Sequence, residues 1–531
     1  MDPIKDLIGE FPFSADIYWL LRDKEKPFNS HFKLEGLRKN LPELCASARA
    51  FNQSAPSGKR VFIFANLHYW IEQAAVIGLA LAGRGHRVSL AYLPYSDWDK
   101  SHSNFDVRRQ GLYARDTLKL ANQVMEVCSL LDVRPLANLT EAAQAAVEQV
   151  TSYDVQYTSQ TEQVDTASTL YQLRLKRNSQ AAKRGMTWLQ NGNPDLLVVP
   201  NGTILEMGVL YRLARSLDIP VVTYEFNDQK EQIWLAQNDE IMHQNTDRLW
   251  QVRSTIPLTP AQRGQIEELE SARQGGRSFG KSDRLWQNAP SIGSQHVQTS
   301  LGLDERPVVL LATNVLGDSL TLGRNVICPS MGDWIGRTVQ YFANRPDVQL
   351  VIRIHPGEQL THGPSMLNVI QAALPELPKH IHIIKPTDRV NTYDIMELTS
   401  LGLVYTTTTG LEMALQGIPV IAAGETHYRK AGFCLAPETW QEYIHLLETS
   451  LADLSARRLT PAQVELAWNY AYRFFFEFPR PFPWRLLQFW NDYQVWPLSR
   501  LLDKEGRELF GRTFDHLAGE PLDWKDLDAH G

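Results

Sequence analysis

The sequence predicts an α/β fold with two Rossmann-like domains, because buried strands alternate with amphipathic helices in two separate runs. The first run begins with the strand "KRVFIFAN", the helix "EQAAVIGLALAGRGH" and the strand "RVSLAYLP". The second run begins with "RPVVLLATN" and continues through "VQLVIRIHP", "HIHIIKP" and "LGLVYTTTT" to "IPVIAAG". Such alternation is typical of doubly wound parallel sheets that helices cover on both faces. Two sheets of this kind place a ligand cleft between the carboxyl ends of their strands.

The bulk composition narrows the class of protein. The chain has 531 residues and a formal net charge of −7, so it can form two or three domains and lacks the basic character of a nucleic-acid-binding protein. Its four cysteines are widely spaced, which argues against a disulfide framework and against structural zinc. No segment has the pattern of a signal peptide or of a membrane span. We therefore expect a cytoplasmic protein that binds no nucleic acid.

Changes in residue pattern predict the domain boundaries. Residues 1–58 are polar and helix-like, and we expect them to form an N-terminal extension. The first Rossmann-like domain is predicted over 59–270, with a helical insertion. A polar linker over 271–304 then leads to the second Rossmann-like domain over 305–459. Residues 460–531 form an aromatic, helix-like C-terminal segment.

Two roles are open for the aromatic segment "YAYRFFFEFPRPFPWRLLQFW". One is an interfacial segment that contacts the inner face of the membrane, since aromatic and arginine-rich helices can do so. The other is a segment that crosses back to the first domain and packs there. The prolines Pro479, Pro481 and Pro483 interrupt any long amphipathic helix. They favour packing, with Phe474, Phe475 and Phe476 largely buried.

The stretch "GGRSFGKS", which begins at Gly275, matches the P-loop pattern but lacks its context. A P-loop needs a buried strand that delivers the glycines to a helix N-terminus. Here the preceding residues, "QIEELESARQ", are charged and helix-like, and Pro290 follows soon after. We interpret the stretch as part of the interdomain connection and expect phosphate to bind elsewhere.

The segment "VYTTTTGLEMALQGIPVI" is the strongest candidate for a phosphate site. A strand ends in four threonines and Gly410, and a helix is predicted to begin at about Leu411. The hydroxyls of Thr408 and Thr409 and the free N–H groups of that helix would converge on an anion. Glu412, in the first turn, could accept hydrogen bonds from a ribose. The alternative is that a threonine caps the helix and Glu412 complements its dipole.

Two further segments of the second domain end strands with polar residues. In "VIRIHPGE", Arg353 and His355 alternate with apolar residues and are predicted to point the same way, where they could neutralise a departing phosphate. In "KPTDRVNTYDIMELTS", Asn391 and Thr392 could cap a helix or contact a base, and capping is the safer prediction.

A third such segment, "GETHYRKAGF", places His427 and Arg429 near the same rim. There they could bind an anionic sugar or be solvated.

The first domain offers candidates for a general base. Asn66 and His68 follow one strand, Glu206 follows another, and Glu225 and Asp228 lie at the end of a third. A base that deprotonates a sugar hydroxyl should be a carboxylate at such a strand end. Glu225 is the first choice, Asp228 the second and Glu206 the third. No spacing of His and Cys residues indicates a metal site.

Together these motifs resemble the bacterial capsule polysaccharide biosynthesis family, which includes the β-Kdo transferases. The residues that carry the resemblance are "RIHPGE", "NTYDIMELTSLGLVYTTTTGLEMALQGIPVIAAGETHYRKAGF" and, less specifically, "ATNVLGDS" and "PVVTYE". The resemblance implies a GT-B fold, with a nucleotide-sugar donor on the second domain and the acceptor on the first. His355 would match the histidine at the donor phosphate, and Thr408 and Thr409 the hydroxyl pair. Related transferases carry their base in an acidic-acidic-Gly motif, whereas this chain has "TYEFND", without the glycine.

We therefore predict a metal-independent GT-B glycosyltransferase of capsule or surface polysaccharide assembly that needs no cofactor. Glu225 would deprotonate the acceptor, while Arg353, His355 and the threonines hold the leaving phosphate. The expected partners are a CMP-, UDP-, GDP- or CDP-linked donor, a carbohydrate or lipid-linked acceptor, and other polysaccharide assembly proteins. The alternatives are a CDP-polyol phosphotransferase, a nucleotide-sugar epimerase of the same plan, and a non-catalytic carbohydrate-binding or scaffold subunit.

Substitutions in the threonine segment and in the P-loop-like stretch should have different effects on nucleotide affinity. Thr408→Val removes a hydroxyl at nearly constant volume and should weaken nucleotide binding by about 1–2 kcal/mol, the value of a hydrogen bond to a charged group. Lys281→Ala, in the P-loop-like stretch, should leave the affinity unchanged. Isothermal titration calorimetry measures both, and the reverse pattern would move the phosphate site to the P-loop-like stretch.

Overall fold

The computed structural model describes residues 7–11, 13–24, 28, 30–226, 231–275, 289–454, 458–486 and 488–525. Their strands form one sheet of seven strands and one of five, which confirms the predicted α/β class with two Rossmann-like sheets. The P-loop-like stretch falls almost entirely in 276–288, outside the described residues. The strands are β1 Arg60–Asn66, β2 Arg87–Leu93, β3 Glu126–Ser129, β4 Leu196–Pro200, β5 Val221–Phe226, β6 Gln232–Gln237, β7 Val308–Ala312, β8 Gln349–Arg353, β9 Ile381–Ile384, β10 Thr399–Val404, β11 Val420–Ala422 and β12 Arg480–Pro481.

The first sheet has the order β12-β6-β5-β4-β1-β2-β3. The strands β1 to β5 run parallel, whereas β6 and β12 add to one edge in antiparallel orientation. The chain order reverses between β1 and β4, so the topological switch point, where α/β sheets bind ligands, lies at their carboxyl ends. The helices of this half are α1 Ser14–Tyr18, α2 Glu35–Asn52, α3 His68–Gly83, α4 Asn104–Leu118, α5 Glu141–Ser159, α6 Thr169–Gly192, α7 Leu205–Ser216, α8 Asp247–Arg253 and α9 Pro260–Gln274.

The second sheet has the order β11-β10-β7-β8-β9, and its strand pairs are parallel. Its switch point lies between β7 and β10. Strands β7, β8 and β11 are buried along their whole length, which explains the continuous apolar runs in the sequence, whereas the edge strand β9 is half-buried at its two central residues. The helices of this half are α10 Ser294–Leu301, α11 Met331–Ala343, α12 Met366–Ala373, α13 Thr392–Met396, α14 Thr409–Leu415, α15 Trp440–Ala452 and α16 Pro461–Tyr472.

The C-terminal segment joins the two halves. After α16 and a π-helical turn at Arg473–Glu477, strand β12 pairs with β6 of the first sheet. The buried rings of Phe482, Trp484 and Phe489 then enter the core of the first domain. The helices α17 Phe489–Val495, α18 Leu498–Leu502 and α19 Lys504–Leu517 complete the chain. Crossing back therefore places this segment in the core instead of at a membrane.

Within the described residues, no helix combines the length and the apolar character that a membrane span requires.

The aromatic side chains of the tail form a core between the two halves. Phe474 and Phe475 are buried as predicted, whereas Phe476 is half-buried. They belong to a cluster that also contains Ile266 of α9 and Leu411 of α14. The tail thus holds the second domain to the first through apolar contacts.

Phe475→Ala should lower the free energy of unfolding by about 3 kcal/mol, because it empties a packed site. The control is Phe13→Ala, whose ring is 70% exposed and whose loss should cost less than about 0.5 kcal/mol. Urea denaturation measures both. Deletion of 460–531 should leave an insoluble or unfolded chain. Equal stability of the two variants, or a folded truncation, would contradict the packing role.

Candidate functional site

Glu225 lies at the carboxyl end of β5, opposite Trp234 of β6. One carboxylate oxygen accepts a hydrogen bond from Nδ2 of Asn201 at 3.1 Å, and the other accepts from the N–H of Phe226 at 3.1 Å. Burial raises the pKa of Glu225 to about 6, although these two hydrogen bonds act to lower it. A carboxylate with a pKa near neutrality suits a general base.

The turn after β4 fixes the partner of Glu225. Asn201 and Gly202 have φ angles of 56° and 83°, a left-handed conformation that asparagine and glycine tolerate best. Oδ1 of Asn201 accepts hydrogen bonds from the N–H groups of Thr203 and Ile204 at 3.0 and 3.3 Å. The amide therefore has one orientation, with Nδ2 toward Glu225. The sequence "PNGT" specifies this local geometry.

Tyr157 of α5 lies within electrostatic range of Glu225 and of a carboxylate of the second domain. The pKa of Tyr157 is raised by burial first, and then by the negative charges of Asp318 and Glu225. Asp318 follows β7 in the second domain, and burial raises its pKa as well. Sequence reasoning gave no role to Tyr157 or Asp318. The signal for Asp318 was its place in "ATNVLGDS", a polar stretch that begins at the end of a buried strand.

His355 lies directly beyond β8, where its backbone N–H donates to Oγ1 of Thr313 at 3.0 Å. Its Nδ1 accepts a hydrogen bond from the N–H of Gly357 at 3.0 Å. In a neutral imidazole the proton therefore resides on Nε2, which is a donor. A Cβ at position 357 would lie 2.9 Å from Nδ1 of His355, which is too close. Glycine at this position therefore permits the hydrogen bond. The side chain is half-buried.

The threonine loop follows β10 at the second switch point. The N–H of Thr406 donates to Oδ1 of Asn314 at 3.2 Å, which ties the loop to the end of β7. Helix α14 begins at Thr409, earlier than predicted, and has seven residues. Thr408 and Thr409 are half-buried, and the hydroxyl of Thr408 does not cap the helix. Gly410 is required because a Cβ there would lie 2.2 Å from the hydroxyl of Tyr428.

Two predicted donor-binding residues instead hold loops of the second domain. Arg353 is buried and donates to the carbonyl oxygens of Lys385 and Val390 at 2.8 and 3.2 Å. Burial lowers its pKa to about 10. Asn391 caps α13, as its safer interpretation predicted, because Oδ1 accepts from the N–H of Tyr393 at 2.9 Å.

The other atoms of Asn391 are also engaged. Its Nδ2 donates to the carbonyl oxygens of Gln274 and Ala289 at 2.8 and 2.9 Å. This leaves the amide no donor for a base. Thr392, the first residue of α13, is half-buried.

Glu412 is buried and forms an ion pair with Arg273 of α9, with 2.8 Å between Nη1 and Oε1. Burial, together with the negative charge of Glu412, raises the pKa of the neighbouring Glu270 to about 8. A ribose at Glu412 would have to compete with Arg273. The sequence offered the alternative that Glu412 complements the dipole of its helix. It could not indicate the ion pair with Arg273, because Arg273 is distant in sequence.

The predictions for His427 and Arg429 are corrected by the structure. His427 stacks on Phe474 at 3.7 Å between ring centroids, and burial lowers its pKa to about 3. The ring is therefore neutral at physiological pH and cannot neutralise an anionic sugar. Arg429 is buried and donates to the carbonyl oxygens of Ala422 and Pro437. It therefore stabilises the chain around β11 and is not available at the rim to bind a sugar.

The acceptor-side candidates separate into buried and accessible residues. Asn66 and Glu206 are buried and bonded to each other, so Glu206 cannot serve as an accessible base. His68, the first residue of α3, is half-buried, and burial lowers its pKa. Asp228 lies outside the described residues.

A fully buried ion triad lies beneath this edge of the first sheet. Arg174 of α6 bonds Asp154 of α5 at 2.9 Å and Glu206 of α7 at 3.0 Å. Its Nη2 also donates to Oδ1 of Asn178 at 3.1 Å. Asp154 in turn accepts the N–H of Leu205 at 2.6 Å. The triad thereby fixes the insertion α5–α6 to the start of α7.

Helix α5 and the loop after it dock on the second domain. The carboxylate of Glu162 accepts hydrogen bonds from the N–H groups of Met331 and Gly332, at 2.7 and 2.8 Å, at the start of α11. Oε1 of Gln160 accepts from the N–H of His362 at 2.8 Å. A Cβ at Gly317 would come within 2.1 Å of the carbonyl oxygen of Gln156. The approach is therefore close enough to require glycine.

Among the described residues, no group of three His, Cys, Asp or Glu side chains could hold a metal ion.

No protein-family model and no curated protein matches the chain. Among solved structures, it is similar to the β-Kdo 2,4 transferase KpsC of Thermosulfurimonas dismutans, with 15% identity, a TM-score of 0.35 and coverage of 52% of this chain and 79% of that one. It is also similar to UDP-GlcNAc 2-epimerase from Neisseria meningitidis (12%, TM-score 0.25, coverage 79% and 99%) and to MurG of Acinetobacter baumannii (12%, TM-score 0.24, coverage 82% and 99%). Similarities at this level carry no information about substrate.

Arg174→Met should destabilise the protein by about 3–5 kcal/mol, because Asp154 and Glu206 would remain buried without a cation. The control is Arg38→Met, which removes an exposed pair with Asp116 and should cost less than about 1 kcal/mol. The midpoints of urea denaturation compare the two. A loss for Arg174→Met no larger than for the control would show that the triad does not support this domain.

Proposed function

We propose that the chain is a glycosyltransferase that moves a sugar from a nucleotide-activated donor to a hydroxyl of a carbohydrate or glycolipid. The observation that carries the proposal is the carboxylate of Glu225. It has a pKa of about 6 and lies at the carboxyl edge of the first sheet, where burial, and then the charges of Asp318 from the second domain and of Glu225 itself, raise the pKa of Tyr157. A base in this place can take a proton from an acceptor bound on the first domain while the second domain holds the donor.

In the proposed reaction, Glu225 accepts the proton of the acceptor hydroxyl. The hydroxyl oxygen attacks the anomeric carbon, and the bond from that carbon to the donor phosphate breaks. The nucleotide leaves with the electron pair. His355 supports this step because its Nε2–H is a donor. The hydroxyl of Thr408 can stabilise the same leaving phosphate, since donors aimed at developing charge lower the barrier.

The substrate class follows from the same residues. A carboxylate base, together with uncharged groups that donate hydrogen bonds to a phosphate, suits a nucleotide sugar as substrate. This arrangement does not require a resident metal or cofactor. Capsule or other surface polysaccharide assembly fits the motifs "RIHPGE" and "TTTTGLE". The donor is CMP-, UDP-, GDP- or CDP-linked, and the acceptor is a carbohydrate or a lipid-linked sugar.

A thermal-shift screen of the four nucleotide classes identifies the donor, and nucleotide release is then measured with and without acceptors. A transferase releases nucleotide faster when the acceptor is present. Conversion of the donor without acceptor would indicate an epimerase, and transfer of a polyol phosphate from a CDP donor would indicate a phosphotransferase. Donor binding without any reaction would indicate a binding subunit.

Glu225→Gln should lower turnover by about 100-fold to 10,000-fold, since it removes the general base. The nucleotide affinity should stay within about twofold, because the second domain binds the donor. The control is Glu126→Gln, at the opposite end of the sheet in β3, which should retain full activity. Full activity of Glu225→Gln with acceptor and donor present would contradict the assignment of the base.

A further inference from the structure

The N-terminal segment over 7–11 and 13–21 carries most of the large apolar side chains that are exposed among the described residues. Thirteen large hydrophobic residues are exposed in the described part of the chain, and seven of them belong to this segment, with Phe13 at 70% and Leu21 at 79% exposure. The seven are Leu7, Ile8, Phe11, Phe13, Ile17, Leu20 and Leu21. Such a concentration in one short segment is typical of an interaction surface.

The segment is anchored to the first domain through its other face. Ala15, Trp19 and Asp23 are buried. Asp23 accepts a hydrogen bond from Nε of Arg109 at 2.7 Å, and Tyr18 packs edge-on against Phe105 of α4 at 5.5 Å. The apolar side chains therefore point outward from a docked segment.

A basic pocket adjoins the segment at the carboxyl ends of β2 and β3. Its volume is about 580 Å³, and five Arg and Lys side chains line it against the two carboxylates of Asp16 and Asp132. The cations are Arg108, Arg115, Lys176, Arg177 and Arg184. The pocket therefore has an excess of positive charge and a size typical of ligand sites.

Arg115 pairs with Asp132 at 2.9 Å, whereas the other four cations form no ion pair with a carboxylate of the described residues. Arg177 is 5% exposed and donates to the carbonyl oxygens of Asp97 and Lys100 at 2.7 and 2.6 Å. Arg184 donates to the carbonyl oxygens of Leu131 and Val133, and its Nε is buried without a hydrogen-bond partner among the described residues. Glu206 and Asp97 lie within electrostatic range of Arg177, so the uncompensated charge of the pocket belongs to its more exposed cations, such as Arg108 and Lys176. Such an excess of positive charge favours an anionic ligand.

The pocket and the apolar segment are joined directly. Asp16 of the segment lines the pocket. Arg108 lines it too, and donates to the carbonyl oxygens of Gly9 and Phe11 at 3.2 and 3.1 Å. The apolar side chains thus stand beside the mouth of a cationic cavity.

We propose that this segment and this pocket form one face that docks on an anionic lipid bilayer. The apolar side chains enter the interfacial layer, and the pocket takes the phosphate of one lipid headgroup. Apolar side chains next to cations bind such surfaces through both contributions. Three of the pocket's cations, Arg108, Arg115 and Lys176, are exposed beside the apolar side chains, and exposed cations next to apolar groups suit an anionic lipid surface. Membrane contact, which the sequence left open as the less favoured role of the C-terminal tail, is thereby assigned to the N-terminal segment.

Sedimentation with vesicles tests the apolar part on the full chain. The wild type should bind vesicles of phosphatidylcholine with about 30% phosphatidylglycerol, a composition chosen for its anionic surface charge. The variant Phe11→Ser/Leu20→Ser/Leu21→Ser should bind at least about tenfold more weakly. The control Ile256→Ser/Leu360→Ser/Leu509→Ser changes exposed apolar residues elsewhere and should bind like the wild type.

Charge reversal tests the pocket. Lys176→Glu should abolish the preference for phosphatidylglycerol over pure phosphatidylcholine vesicles, whereas Lys39→Glu, an exposed lysine of α2, should keep it. The proposal is overturned if the wild type does not bind anionic vesicles, if it binds neutral vesicles equally well, or if the serine variant binds like the wild type. It is also overturned if the segment instead mediates a dimer that the serine variant breaks in analytical ultracentrifugation. The assay contains no nucleotide sugar, so its failure leaves the proposed transfer reaction untouched.

Discussion

The buried contact of Arg174 with Asp154 and Glu206 is the interaction on which the arrangement of the site depends. All three side chains are withdrawn from water, and charges in such a position must stay paired. Asp154 also holds the N–H of Leu205, whose φ of 58° places it in the unfavourable left-handed region. The triad therefore sets where α7 begins beyond β4. It also fixes α5, which carries Tyr157 to the neighbourhood of Glu225.

The same helix connects the two domains. Its C-terminal end lies so close to the second domain that a Cβ at Gly317 or Gly363 would meet backbone oxygens of residues 156–160 at 2.1 and 2.4 Å. Glu162 then binds the first N–H groups of α11. A negative charge at a helix N-terminus is favourable, so this contact stabilises the docking of α5 on the second domain.

The sequence predicted the two sheets well, because buried parallel strands have continuous apolar runs that local pattern detects. It also placed Glu225 at the end of a strand, as the structure does, whereas the role of Glu225 as the base stays a prediction. It could not predict the partners of Arg353, Glu412 and Arg429. Those side chains bind carbonyl oxygens or an arginine from other elements, and only the tertiary fold brings such groups together. Tyr157 was missed for the same reason, whereas Asp318 was missed although it follows a buried strand in "ATNVLGDS".

The pH dependence of nucleotide release is the most direct test of Glu225 as the base. A base acts in its ionised form, and burial raises the pKa of Glu225 to about 6. The logarithm of kcat/KM should therefore rise with a slope near 1 as the pH approaches this value from below, and stay level above it. At one pH unit below the pKa the rate should be about tenfold lower than the plateau. A profile that is flat between about pH 5 and pH 8, a window that brackets the pKa of Glu225, would contradict the account.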